Sequence, residues 1–165
     1  MLHKKKVLLV CSPYYKEITD NLILGASKVF EAKNIEYKIL NVPGALEIAP
    51  AIKIVYEKFK DNPIFNGFVA LGCVIRGETF HFELVSNQSA ISLYDLSIKY
   101  SIPIGNGILT VENKDQAIER SDPTKLNKGA DAALACLSLI NHKNNISYTV
   151  IMKRTFIDNL RNFFR

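Results

Sequence analysis

Val7-Leu8-Leu9-Val10-Cys11 is an unbroken apolar run, and Ser12-Pro13 closes it at once. Five consecutive apolar residues do not alternate as a half-buried strand does. They suit a strand covered on both faces, the usual condition of a parallel sheet. The reading extends outward from that run. Ile18 to about Ala32 sets Ile18, Leu22, Ala26, Val29 and Phe30 at helical spacing, and Glu36–Val42 predicts a second strand stopped by Pro43-Gly44. A helix is expected over Glu47–Phe59, where Ile48, Ile52, Val55 and Phe59 share a stripe. Phe65–Ile75 is a long apolar segment interrupted by glycine, Val85–Tyr100 is helical, and Gly107–Val111 follows Pro103-Ile104 as the last strand. Two helices, about Lys114–Arg120 and Lys128–Asn141, complete an order of strands alternating with helices. That order predicts an α/β fold, a three-layer αβα sandwich around a four-stranded parallel sheet.

The chain has 165 residues, 48% apolar and 22% charged, which fits one soluble domain over 1–165. The three cysteines, at 11, 73 and 136, are widely spaced and form no CxxC pair, so neither a disulfide framework nor a metal site is expected. A reducing, cytoplasmic setting follows. The net charge of +5 comes from lysines scattered along the chain, which argues against a nucleic-acid face. The basic start Met1–Lys6 before Val7–Val10 lacks the long apolar run and small-residue site of a signal peptide, and reads as a first strand. No stretch is long enough to span a bilayer.

In a parallel sheet, sites form where strands end and helices begin. Four segments are expected to converge on one such edge: Ser12–Tyr15, Val42–Glu47, Gly72–Glu83 and Pro103–Gly107. The third is richest. Gly77-Glu78-Thr79 ahead of a helix offers free N–H groups and a hydroxyl to an anion. His81 follows, with a side chain able to move protons near neutral pH. Read alone, His81 also fits a surface or interface histidine, and Arg120 a partner of Glu119 or Asp115. Cys73 near His81 raises a cysteine-dependent hydrolase, but Gly72-Cys73-Val74-Ile75-Arg76 lacks a nucleophile elbow and reads as a buried thiol. Neither a Walker loop nor GxGxxG occurs.

The stretch Ala70-Leu71-Gly72-Cys73-Val74-Ile75-Arg76-Gly77-Glu78-Thr79-Phe80-His81-Phe82-Glu83-Leu84-Val85 resembles the strand, phosphate loop and histidine of the lumazine synthase family. Val42-Pro43-Gly44-Ala45-Leu46-Glu47-Ile48, Gln116–Arg120 and Asn127-Lys128-Gly129 resemble further blocks of it, in order, from about Val7 to Asn141. The resemblance implies a flavodoxin-like fold. It also implies condensation of 5-amino-6-(ribitylamino)uracil with 3,4-dihydroxy-2-butanone 4-phosphate to 6,7-dimethyl-8-ribityllumazine, with no metal or redox cofactor. By the same resemblance His81 transfers protons. Arg120, Thr79, Lys128 and the amides of Gly77, Glu78 and Thr79 hold the butanone phosphate. Tyr14 stacks on the pyrimidine, Ala45, Leu46 and Glu47 line ring and ribityl chain, and Cys73, Val74, Ile75 and Asn106 offer backbone groups. Leu46, Glu78 and Asn106 stand where the family often has an aromatic, alanine and phenylalanine. A module that binds flavin or lumazine without turnover is the alternative from a different class.

The family assembles as pentamers with sites shared between neighbours, and some members form sixty-subunit shells. In shell formers a Gly-Thr-Lys-Ala-Gly-Asn-like turn joins the last two helices. Asp122-Pro123-Thr124-Lys125-Leu126-Asn127 replaces it here, which predicts a homo-oligomer of one pentamer or two, not a shell. The tail 147–165 extends past the resemblance as a basic amphipathic segment, expected to pack on the subunit or its neighbour and not on a membrane.

Overall fold

A computed structural model describes residues 5–163, with side chains through residue 145. Its strands are β1 (Lys6–Cys11), β2 (Glu36–Asn41), β3 (Gly67–Ile75) and β4 (Ile104–Val111). They form one parallel sheet in the order β2-β1-β3-β4. Burial follows from that order. Val7–Cys11 in β1 and Gly67–Cys73 in β3 are covered on both faces because these strands are central, whereas β2 at the edge is largely exposed.

The helices are α1 (Lys16–Ala32), α2 (Ile48–Phe59), α3 (His81–Tyr100), α4 (Lys114–Ser121) and α5 (Lys128–Phe163). Alternate residues of the central strands point to opposite faces. Val7, Leu9 and Cys11 pack with Leu22, Ala26 and Phe30 of α1 and with Ala133, Cys136 and Ile140 of α5. Leu8, Val10, Phe68 and Ala70 pack with Ile48 and Ile52 of α2 and Leu93 of α3. Each fully buried Leu, Ile or Phe contributes about 1.5–3 kcal/mol, so these two cores fix the three-layer αβα sandwich. From β1 the chain turns to β2 over one face and then to β3 over the other. Neighbouring loops therefore part above β1 and β3, which opens a crevice at the carboxyl ends of these strands. Hydrogen bonds from Ser12 N–H to Leu71 C=O (2.9 Å) and Val42 N–H to Cys11 C=O (2.8 Å) carry the ladder to its rim.

Three sequence expectations change. First, β4 begins at Ile104, not Gly107, so Pro103–Gly107 is the start of a strand and lies at the opposite edge from the other three loops. Its glycines serve packing: a Cβ on Gly105 would sit 2.0 Å from the Ala132 carbonyl oxygen of α5. Second, α3 begins at His81, four residues before Val85, with no side-chain cap from Phe80 to announce it. Third, α5 runs to Phe163 instead of Asn141. No Gly or Pro interrupts 142–163, and at 1.5 Å per residue the helix is about 54 Å long. How the side chains of 147–165 pack lies outside the described residues. Between α4 and α5, Asp122 Oδ1 accepts from Thr124 N–H and Oγ1–H, both at 2.8 Å, and Asn127 adopts φ 47°. No helix of the described residues is long and apolar enough to cross a membrane.

Candidate active site

A cleft of about 450 Å³ opens at the carboxyl ends of β1, β2 and β3. Each of the three loops supplies a wall. After β1, a 3-10 turn over Pro13–Tyr15 turns two aromatic rings to the cleft. Tyr14 is exposed and Tyr15 half-buried, and their rings meet edge to face with centroids 5.0 Å apart. Burial, then the neighbouring Tyr14, holds the Tyr15 hydroxyl above the usual phenol range. Behind them Ser12 is buried, and its carbonyl accepts the Thr19 hydroxyl at 2.7 Å, which pins this loop to α1.

After β2, a second 3-10 turn over Ala45–Glu47 runs directly into α2. Ala45 is buried beneath it, while Leu46 and Glu47 are exposed at the cleft. The Glu47 carboxylate stands at the α2 N-terminus, where the helix dipole favours negative charge.

After β3, Cys73, Val74 and Ile75 form the floor, and Gly77, Thr79 and His81 the far rim. Cys73 is 5% exposed, and burial pushes its thiol up to about 12. A thiol held neutral is a poor nucleophile, so the geometry does not support a cysteine hydrolase. Gly77 has open space around it, with nothing within 4 Å of an added Cβ. His81 is exposed in the first turn of α3, with its ring at the cleft. Beside it, Arg76 donates to Glu83 of α3, and its Nε–H donates to Glu112 at 2.6 Å. Hydrogen bonds first to Glu83 and then to Glu112 raise the Arg76 pKa, and the same guanidinium lowers that of Glu83.

The fold thus gathers Tyr14, Ala45, Leu46, Glu47, Cys73, Val74, Ile75, Gly77, Thr79 and His81 around one cleft. Glu78, Asn106, Arg120 and Lys128 are not among its lining residues. Asn106 pairs with Ala70 on the sheet, whereas Cys73 pairs with Leu109. Three residues of strand separate the two levels, about 10 Å. The Asn106 side chain accepts from Ile108 N–H at 3.0 Å. Arg120 donates to the Gln116 carbonyl at 3.1 Å and lies 3.7 Å from Glu119, and Lys128 pairs with Asp131 at 2.8 Å. Among the described residues, no lysine or arginine lines the cleft. Ser12, Tyr15, Gly44, Phe82 and Val85 line it without an individual role having been expected of them from the sequence. Ser12 and Tyr15 flank the strand end that marked Tyr14, and Phe82 and Val85 lie on the helix that carries His81. Gly44 directly precedes Ala45, so adjacency was the available signal for all five. Among the described residues, no three His, Cys, Asp or Glu side chains gather as a metal-ligand set.

Residues 4–144 match the model of the 6,7-dimethyl-8-ribityllumazine synthase family. The chain belongs to this family. The lumazine synthase of Afipia carboxidovorans is 48% identical over 143 residues, 86% of this chain and 88% of the relative. That of Zymomonas mobilis is 45% identical over 142 residues, covering 86% and 99%. That of Agrobacterium fabrum is 44% identical over 146 residues, covering 88% and 99%. The lumazine synthase match takes in all three cleft loops and both helices that carry Arg120 and Lys128, and it stops before the end of α5.

Proposed function

We propose that this chain condenses 5-amino-6-(ribitylamino)uracil with 3,4-dihydroxy-2-butanone 4-phosphate to give 6,7-dimethyl-8-ribityllumazine, phosphate and water, in the cytoplasm. The observation that carries the reading is the cleft itself, formed by the loops that fall within the lumazine synthase match. Its parts suit two substrates held side by side. Tyr14 offers a face for the pyrimidine, with Ala45 and Leu46 beside it. Glu47 accepts ribityl hydroxyls, and Cys73, Val74 and Ile75 present backbone groups to the ring. Gly77, Glu78 and Thr79 present amides at the start of α3, where the helix dipole favours a phosphate. His81 moves protons during imine formation and phosphate loss. Holding the reactants together supplies most of the acceleration.

Among the described residues the cleft has no cation of its own, and a phosphate ester needs one. Arg120, Lys128 and Asn106 are therefore assigned to the cleft of an adjacent subunit. An exposed apolar stripe on α3 and its N-cap, Phe80, Leu84, Ile91, Tyr94 and Ile98, supports self-association. The turn built on Asp122 and Asn127 supports one pentamer or two over a sixty-subunit shell.

The test is lumazine formation, followed by absorbance, with His81→Ala and Arg120→Ala alongside. His81→Ala is expected to lower kcat about 100-fold. Arg120→Ala is expected to raise KM for the butanone phosphate about 100-fold, since an Arg–phosphate pair is a strong charge-assisted contact. Co-assembly of the two variants should restore part of the activity, because some mixed interfaces hold both wild-type residues. Flavin or lumazine binding without any condensation would refute the enzyme. Activity that mixing does not restore would refute the shared site.

A further inference from the structure

Arg76 is the arginine nearest the Gly77–Thr79 loop in sequence, yet it is not among the residues lining the cleft. Its backbone N–H donates to Val111 C=O at 2.9 Å, which ties the end of β3 to the end of β4. Its guanidinium spans three further groups. It donates to Glu83 in the first turn of α3 and to Glu112 just past β4 (2.6 Å), and its carbon lies 4.2 Å from the centre of the Phe82 ring. Glu112 is itself held to α4, its N–H donating to Gln116 Oε1 at 3.0 Å. Phe82 and Glu83 are the two residues after His81.

The loop beside this brace has little else to hold it. Gly77–Phe80 is exposed, and α3 starts without a side-chain cap. Among the described residues, the backbone bond from α3 into the loop is Leu84 N–H to Phe80 C=O at 3.3 Å. We infer that Arg76 is a positioning residue, whose guanidinium, braced between Glu83 and Glu112 and stacked on Phe82, sets the direction of His81 and of the loop amides. This rests on the proposal that the loop binds the phosphate of a substrate. Magnitudes separate this role from a structural one. Exposed ion pairs contribute little to stability, while small misplacement of reacting groups costs up to about 100-fold in rate. Removal of Arg76 also leaves the Glu83 and Glu112 carboxylates uncompensated beside an anion site.

The experiment compares Arg76→Ala, Arg76→Lys and wild type as assembled protein. Arg76→Ala should raise KM for the butanone phosphate and lower kcat, each about tenfold, by displacing the loop and His81. KM for the pyrimidine should stay within about twofold, because Tyr14 and Glu47 are on other loops. Arg76→Lys keeps the charge but not the two-armed geometry and should recover part of the loss. Hydrogen exchange supplies a readout independent of turnover: amides 84–87, the first hydrogen-bonded ones of α3, should exchange about tenfold faster in Arg76→Ala while the sheet is unchanged. Equal losses for both substrates, or unaltered exchange at 84–87, would overturn the assignment. If wild type makes no lumazine, the synthase reading fails, and the exchange comparison still decides whether Arg76 orders the loop.

Discussion

Gly77 and Gly105 lie at opposite edges of the sheet and are glycine for opposite reasons. At Gly77 an added Cβ meets nothing within 4 Å, while at Gly105 it lands 2.0 Å from the Ala132 carbonyl oxygen. Gly77 borders the cleft, where empty space is available to a ligand. Gly105 starts β4, where the space is filled by the backbone of α5. A glycine-rich segment in a sequence therefore marks close approach by something, and only the fold decides whether that is a ligand or a helix.

The cysteines on the two sides give the largest effect. Cys73 is at the cleft and Cys136 beside Gly105, and burial pushes both thiols from 9.0 up to about 12. At pH 8 iodoacetamide should label each about a thousandfold more slowly than a free thiol, which mass spectrometry can follow. Rapid labelling of Cys73 alone would break the comparison by showing the cleft floor open. The sign for stability follows from the raised values. The buried neutral thiols, Cys11 included, favour the fold fully below pH 9.0, and that contribution is lost as pH rises towards about 12.

Gly105→Ala comes next. The Cβ collides with backbone that no rotamer change can move, at a cost of about 3 kcal/mol. The thermal midpoint should fall by roughly 10 °C in calorimetry. The smallest effect is expected at Gly77→Ala, since its φ is not positive and its surroundings are open. Its stability should stay within about 0.5 kcal/mol of wild type by denaturant titration. A large loss there would mean the loop packs as tightly as β4 does.

Most of the fold was legible because long-range burial imprinted the sequence directly. Val7–Cys11 is apolar throughout since β1 is central, and α1 carries its 3.6-residue period since one face meets the sheet. The errors have local causes. Gly105-Asn106-Gly107 has poor strand propensity, so β4 was read three residues short, yet pairing with β3 and the close approach of α5 override propensity. The first turn of α3 lacks a cap, so its start at His81 left no mark. The cleft residues on contiguous loops were found together, and the family resemblance carried their roles. Arg120 and Lys128 carry the same expected role yet do not line the cleft of their own chain, and it is the proposal of a shared site that assigns them to another copy.

Among the described residues, each chain carries a cleft that no lysine or arginine lines, and two helices whose Arg120 and Lys128 are not part of that lining. On the proposed chemistry, a solitary newly made subunit is silent towards the phosphate ester. Turnover then begins only when the concentration of folded chains passes the midpoint of their association. On that proposal, the rate in a dilute solution is set by mass action between copies before it is set by His81.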